Sequence, residues 1–185
     1  RETSLAPISV DTYYPEVAEA AIQAGATMIN DIKGLDTPGM AEVLAQYPEV
    51  QVVIMHSRKR QSLSLKEELH LFYTEKIEQC QKYGLSLEKI CFDPGIGFHK
   101  TVAENLQLLK DPNAFRYQDY PLLYGVSRKR TIGALTNEPE PANRDFGSAA
   151  ASLYAAQQGV EILRVHNVQG LKQTFDVWRV LSEKE

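Results

Sequence analysis

Two basic side chains near the end of the chain have the spacing of an anion-binding site. Arg164 and His166 lie two residues apart at the end of an apolar run, so a β-strand would place both on one face. A guanidinium beside a titratable donor is suited to bind an anion. Lys129 and Arg130 would add positive charge if their strand were a neighbour of this one. The pattern therefore predicts a cationic region that receives an anionic group.

A second set of polar residues has the opposite character. Asp93 follows the apolar run Lys89–Phe92 and precedes the turn 94–97, which contains one proline and two glycines. Asp11 and Asn30 follow two earlier apolar runs in the same way. Carboxylates accept hydrogen bonds, and an amide both accepts and donates them. Together the two sets predict a substrate with one half that offers N–H donors and another half that is strongly anionic.

The elements that would position these residues alternate between two types. Six short apolar runs rich in β-branched residues read as strands: Pro7–Val10, Ala26–Ile29, Val50–Met55, Lys89–Phe92, Pro121–Val126 and Glu161–Val165. Helical patterns lie between and after them: Tyr14–Ala24, Gly39–Gln46, Leu65–Tyr83, Val102–Leu109, Asp145–Gln158 and Leu171–Leu181. This alternation predicts a parallel sheet covered by helices, which is either a doubly wound sheet or most of a (β/α)₈ barrel.

The ends of the strands favour the barrel. All six strands end in polar groups: Asp11-Thr12, Asn30-Asp31, His56-Ser57-Arg58, Asp93, Ser127-Arg128-Lys129-Arg130, and Arg164 with His166-Asn167. Each group alone has a simpler explanation, such as a helix cap, a turn former or a solvated basic loop. Six such groups at equivalent positions instead indicate a TIM (β/α)₈ barrel, in which function lies at the carboxyl ends of many strands.

The composition excludes several classes of protein. The chain has 185 residues, enough for one domain over residues 1–185, with 43% hydrophobic and 24% charged residues. A net charge of −4 and a pI near 5.6 argue against nucleic-acid and anionic-membrane partners. No apolar run is long enough to span a bilayer, and no segment resembles a signal peptide. Cys80 and Cys91 lack metal-ligand spacing and are predicted to be buried, reduced thiols, so a cytoplasmic protein is expected.

Four segments carry a resemblance to a known family. "SVDTYYPEVAEAAIQAGATMINDIKG", "FDPGIGFHKT", "YGVSRKRTIG" and "ILRVHNV" occur in this order and resemble dihydropteroate synthase over essentially the whole chain. "SVDT" with "IND" alone would also fit other pterin-binding barrels. The resemblance implies a TIM barrel and a transferase of folate biosynthesis, the target of sulfonamides. That enzyme joins 4-aminobenzoate to hydroxymethyl-dihydropterin pyrophosphate and releases pyrophosphate and dihydropteroate.

The resemblance also implies roles for individual residues. Asp93, Asn30 and Asp11 would accept or exchange hydrogen bonds with the pterin, and Lys129 would donate to its carbonyl and ring nitrogen. Arg164 and His166 would bind the pyrophosphate and, with Lys129, form the catalytic set. Phe98 would be a wall for the aminobenzoate ring, with a core residue at the start of a helix as its alternative. The implied substrate-binding set is Asp11, Asn30, Met55, Asp93, Phe98, Gly125, Ser127, Lys129, Arg164 and His166.

Two basic residues depart from the family pattern. The segment Met55–Arg60, "MHSRKR", is more basic than the Met-His loop usual in the family, and Arg58 is given no role. Arg130 stands where a serine is frequent, and it would either hold the aminobenzoate carboxylate or lie in solvent.

Part of the family pattern is missing from this sequence. The "NVTPDSF"-like loop, which supplies the metal-binding asparagine, and the "STRPG"-like loop do not occur. The six strands match the third to eighth of the barrel, and the chain, which starts without Met, looks like a piece of a longer protein. We therefore expect Mg²⁺ as the cofactor but no metal ligand in this chain. We also expect an incomplete barrel with two unpaired edges, no synthase activity for these residues alone, and a homodimer for the full-length protein.

Two other functions remain open from the sequence. One is a pterin-binding methyltransferase domain, which passes a methyl group from a methylated folate to a corrinoid protein. That function has no need for Ser127, Arg128 and Lys129 beside an anion-binding pair. The other is a non-catalytic pterin-binding barrel, against which the intact polar strand ends argue.

Overall fold

The computed structural model describes residues 6–183, in which strands and helices alternate. The strands are β1 (Ser9–Asp11), β2 (Met28–Asp31), β3 (Gln51–Met55), β4 (Ile90–Asp93), β5 (Leu123–Tyr124) and β6 (Ile162–Leu163). The α-helices are α1 (Pro15–Gln23), α2 (Met40–Leu44), α3 (Leu65–Tyr83), α4 (Val102–Lys110), α5 (Arg130–Thr136), α6 (Asp145–Gln157) and α7 (Val168–Ser182). Single 3₁₀ turns occupy Leu87–Lys89, Pro112–Phe115 and Pro141–Arg144.

The six strands form one continuous parallel wall. β1 to β4 pair in chain order, and β5 pairs with β6. A parallel bridge between Phe92 and Leu122, with a hydrogen bond from the Phe92 amide to the Pro121 carbonyl (2.9 Å), joins β4 to β5. Each strand thus lies beside its predecessor, as in a barrel wall. Within residues 6–183, β1 and β6 do not pair with each other, so the wall is open at these edges.

The core lies between the wall and the helices. β3 and β4 are buried on both faces, whereas β1 and β6 are only partly buried. Helices α3 and α4 both begin with a capping box, Ser64 with Glu67 in α3 and Thr101 with Glu104 in α4. Cys80 and Cys91 are buried and free. No helix in the described range is long and apolar enough to cross a membrane.

The sequence predicted most elements, although the bounds of several differ by one to three residues and those of β5 and β6 differ more. β5 and β6 have two residues each, shorter than the predicted runs Pro121–Val126 and Glu161–Val165. Residues 125–126 and 164–165, which follow these strands, have no regular secondary structure. The helix α5 was not predicted, because its seven residues include Gly133 and are too few to show a helical period.

Candidate active site

The strand register brings the predicted polar residues to one level. Asp11 is opposite Asn30 at the ends of β1 and β2, and Met55 is opposite Asp93 at the ends of β3 and β4. Parallel strands present their carboxyl ends at the same edge. The described residues therefore form a polar mouth, as expected from the sequence.

Asp93 is the most deeply placed acid of this mouth. Its side chain is 1% exposed, and its Oδ1 accepts a hydrogen bond from the Gly95 amide (2.7 Å). Its Oδ2 is buried and has no hydrogen-bond partner among the described residues. Burial raises the pKa of the Asp93 carboxyl, and the Lys129 ammonium is the main cation that opposes this rise. One carboxylate oxygen is thus fixed and the other is available to a donor.

The turn after Asp93 requires glycine. Gly95 has φ +72°, and a Cβ at this position would lie 2.0 Å from the His56 carbonyl oxygen. No side chain fits so close to a backbone atom, so the loop packs directly on the residue that follows β3. This contact explains why an acid at a strand end is followed by a turn with so few side chains.

Asn30 presents a second unsatisfied acceptor. Its side chain is 1% exposed, and its Nδ2 donates to Asp11 Oδ1 (2.8 Å). This bond orients the amide and leaves Asn30 Oδ1 buried, with no partner among residues 6–183. Since a buried acceptor without a donor is unfavourable, Asn30 and Asp93 both indicate a ligand that supplies N–H groups.

An ion pair connects the two edges of the wall. Arg164 Nη1 donates to Asp11 Oδ1 (2.8 Å) and to Asp11 Oδ2 (2.6 Å). Between this guanidinium and the Lys129 amine lies Gly125, where a Cβ would stand 3.7 Å from Arg164 Nε and 3.8 Å from Lys129 Nζ. The absence of a side chain at Gly125 therefore leaves space between the two cations.

Lys129 is the cation with the largest electrostatic effect on Asp93. Its Nζ donates to the Ile96 carbonyl and lies 4.8 Å from the centre of the Phe98 ring. Burial lowers the pKa of the Lys129 ammonium, Asp93 opposes this effect, and Arg164 adds to it. Lys129 thus lies beside Phe98 and interacts electrostatically with both Asp93 and Arg164.

His166 is held by Ser127. His166 Nδ1 lies 2.9 Å from Ser127 Oγ, which also accepts the His166 amide (3.2 Å). Ser127 is buried, whereas the His166 side chain is exposed to solvent. Ser127 belongs to the substrate-binding set that the resemblance implies, and the sequence did not predict its contact with His166.

The remaining basic residues lie elsewhere. Arg58 pairs with Asp36 and Glu75 (2.6 Å each) and covers the Phe72 ring, which gives it a structural role at the base of the loop after β3. Arg128 has φ +60° and turns away to pair with Asp145 (2.7 Å). Arg130 is exposed at the start of α5. Met55, a further member of the implied substrate-binding set, is fully buried at the end of β3.

Two residues of this region received no role from the sequence. His56 and Lys100 are in contact (3.1 Å) beneath the turn that carries Asp93. Their positions could have identified them from the sequence, because His56 immediately follows β3 and Lys100 follows the glycine-rich turn. No group of three or more His, Cys, Asp or Glu side chains in the described range is arranged to hold a metal ion.

Comparisons with known proteins found relatives that match most of this chain. A family model for pterin-binding enzymes matches residues 1–166. The dihydropteroate synthase of Synechocystis sp. is 38% identical over 186 residues, which is 94% of this chain and 64% of that protein. The chain thus spans less than two thirds of this curated relative.

Solved structures give the same result. The Xanthomonas albilineans dihydropteroate synthase in complex with 7,8-dihydropteroate is 39% identical, with a TM-score of 0.93 over 100% of this chain and 72% of that one. The same enzyme with 4-aminobenzoic acid gives a TM-score of 0.92, also at 39% identity, over 100% of this chain and 70% of that one. The barrel fold predicted from the sequence is confirmed.

Proposed function

Because the chain belongs to the family of pterin-binding enzymes and, within it, to the dihydropteroate synthases, we propose that the whole protein makes 7,8-dihydropteroate. Its substrates would be 4-aminobenzoate and 6-hydroxymethyl-7,8-dihydropterin pyrophosphate, and pyrophosphate would be released. The observation that carries this proposal is the pair of buried acceptors without donors, Asp93 Oδ2 and Asn30 Oδ1. A pterin offers N–H donors along one edge, and these acceptors fit them.

The cationic part of the mouth supports the other half of the substrate. Arg164 and His166 would hold the pyrophosphate, because a guanidinium gives bidentate hydrogen bonds to phosphate and an imidazole adds a further donor. Lys129 lies between this region and Asp93, with which it interacts electrostatically, so it would donate to the pterin ring. Gly125 would leave room for the ligand between Arg164 and Lys129.

The reaction requires no nucleophile from the protein. The carbon–oxygen bond between the pterin methylene and the pyrophosphate would break, and its electron pair would go to the leaving oxygen. Arg164 and His166 would stabilise the negative charge that grows there. The amino nitrogen of 4-aminobenzoate would form the new carbon–nitrogen bond and lose a proton to solvent. Phe98 would line the path of the aminobenzoate ring, beside Lys129.

Three further properties belong to the proposal. Residues 6–183 contain no group of three or more His, Cys, Asp or Glu side chains that could hold magnesium. The Mg²⁺ requirement that the resemblance implies stays a prediction, tested by chelation of the whole protein.

A homodimer is supported by exposed apolar side chains along α6 and α7, where Phe146 is 91% exposed beside a groove of about 880 Å³. A cytoplasmic location is supported by the two buried, free cysteines.

A product assay with the whole protein tests this function. The protein is incubated with both substrates and magnesium, and dihydropteroate and pyrophosphate are quantified together. We expect equal amounts of both products, and no product when the pterin alcohol replaces the pyrophosphate ester. Binding without turnover would instead indicate a non-catalytic barrel. Methyl transfer from a methylated folate to a corrinoid would indicate the methyltransferase.

A further inference from the structure

Lys100 ties the Asp93 turn to the preceding loop. Its ammonium lies within hydrogen-bond distance of four acceptors, the carbonyl oxygens of Gly95 (3.2 Å), Phe98 (3.2 Å) and His56 (3.3 Å) and His56 Nδ1 (3.1 Å), among which its three N–H groups are shared. Two of these acceptors belong to the turn itself, and two belong to the residue on which the turn packs. A single side chain therefore links both sides of this contact.

His56 has a charged neighbour near each ring nitrogen, although Glu68 Oε1 forms no hydrogen bond with it. Its side chain is 1% exposed, and its Nε2 lies 3.3 Å from Glu68 Oε1 on α3. Because an ammonium has only donors, His56 Nδ1 must accept from Lys100, and the ring proton then lies on Nε2, facing Glu68. Burial, together with the charges of Lys100, Arg58 and Arg60, lowers the His56 pKa to about 3, so the ring is neutral.

The contacts continue to the two neighbouring helices. Glu68 accepts from the Arg60 guanidinium and from the Gln61 amide (3.0 Å). Arg60 Nε donates to Glu104 Oε1 in the first turn of α4 (2.8 Å). The cluster of Lys100, His56 and Glu68 is thus anchored to both α3 and α4. It is outside the set of residues assigned to the substrates.

The position of the Asp93 carboxylate depends on this turn. The Gly95 amide fixes Asp93 Oδ1, and the same glycine's carbonyl is held by Lys100, so the free Oδ2 keeps its direction only while the turn is held. The Phe98 carbonyl is held in the same way. We propose that Lys100, supported by His56 and Glu68, is a positioning residue that preorganises the turn for the pterin and for the aminobenzoate ring. This inference rests on the proposed function.

The charge of Lys100 allows a pH-dependent test that separates a positioning role from a general effect on stability. Burial lowers the pKa of the Lys100 ammonium to about 8, although nearby acids oppose this effect; the charged groups that face it are Asp93, Arg60, Glu68 and Glu104. A charged ammonium donates three hydrogen bonds, whereas the neutral amine donates two. The turn should therefore loosen as the pH rises through about 8.

Three variants of the whole protein test the inference. Lys100→Met removes the donors, Lys100→Arg keeps a charge at all accessible pH values, and Lys110→Met is the control, since Lys110 is exposed at the end of α4. The dissociation constant of the pterin alcohol is measured by calorimetry from about pH 6.5 to about pH 9.5, on both sides of the Lys100 pKa. Hydrogen exchange of residues 94–99 is measured without ligand by mass spectrometry.

We expect Lys100→Met to weaken pterin binding about tenfold or more near pH 7, since small displacements of a binding group have effects of this size. Relative to both Lys100→Met and Lys100→Arg, the unchanged protein should show an additional loss of affinity above about pH 8. Exchange should become faster in residues 94–99 of Lys100→Met and not in α3. Unchanged exchange in this segment would overturn the inference, whether or not a pterin binds. A complete lack of pterin binding by the unchanged protein would instead contradict the proposed function.

Discussion

Replacing Asp93 by asparagine should change stability and pterin binding in opposite directions. The free enzyme has a buried, unpaired carboxylate oxygen at this position, and burial raises the pKa of the carboxyl despite the nearby Lys129. An amide can still accept from Gly95 and removes the buried charge. We expect the unfolding free energy of the unliganded protein to rise at neutral pH because the buried charge is removed, by about 1.4 kcal/mol for every tenfold by which burial weakens the acid.

The same change should nearly abolish pterin binding. The amide nitrogen of Asp93→Asn would face the N–H edge of the ligand, donor against donor. A broken buried contact of this kind costs about 2–5 kcal/mol, which is a loss of roughly 30-fold to several thousand-fold in affinity.

The pH dependence of the stability gain has a definite sign. A carboxyl group whose pKa is raised in the folded state destabilises the fold when it is ionised. The gain from Asp93→Asn should therefore be absent below the ordinary pKa of aspartate. It should grow as the pH rises through the window up to the raised pKa of Asp93.

Urea unfolding and calorimetry on one preparation measure both effects. Asp119→Asn is the matched control, because Asp119 is exposed in the loop before β5 and should change neither quantity. A less stable Asp93→Asn protein with unchanged pterin affinity would refute the reasoning, since it would place the Asp93 carboxylate in a satisfied structural site.

Three other substitutions test separate parts of the site. Arg164→Ala should weaken the binding of pterin pyrophosphate far more than that of the pterin alcohol in calorimetry, and equal losses would place Arg164 at the ring. Gly125→Ala should leave the urea midpoint unchanged or slightly raised, because its Cβ makes ordinary contacts 3.7–3.8 Å from Arg164 and Lys129. It should weaken pterin pyrophosphate binding, and full affinity would show that the space is not used. His56 has a pKa of about 3 in the fold, so the unfolded chain alone gains a proton below its ordinary pKa of about 6.5. Stability should fall by about 2 kcal/mol from pH 7 to pH 5, and His56→Gln should lose that part of the fall in urea titrations.

The sequence predicted the strand ends better than the strands. The polar residues after each apolar run indicated the mouth, because parallel strands must present their carboxyl ends together. The extents of β5 and β6 were not predictable, since the same apolar residues serve a strand and the bend that follows it. Asn30 and Asp93 were identified by residue type, by their positions after apolar runs and by the family resemblance. That each keeps one acceptor free depends on partners, Asp11 and Gly95, whose geometry no local pattern contains.

The contacts between loops were the least predictable part. Lys100 and His56 are separated by 44 residues, and only the packing of the turn on the loop after β3 brings them together. Ser127 and His166 are a similar case, since their positions are 39 residues apart. Single charged residues in loops have no period to reveal their partners, so such contacts require the fold.

Because Arg164 is already paired with Asp11, an external anion that binds this guanidinium competes with the Asp11 carboxylate. Asp11 belongs to the same molecule, so it competes with dissolved anions at a fixed effective concentration, on the order of millimolar for tethered groups. The two side chains are 39% and 56% exposed, so the pair is only weakly held. A ligand with two phosphoryl groups can displace this built-in competitor, whereas a dilute monovalent anion cannot. The displaced carboxylate is then free to accept a hydrogen bond from the other half of the same ligand.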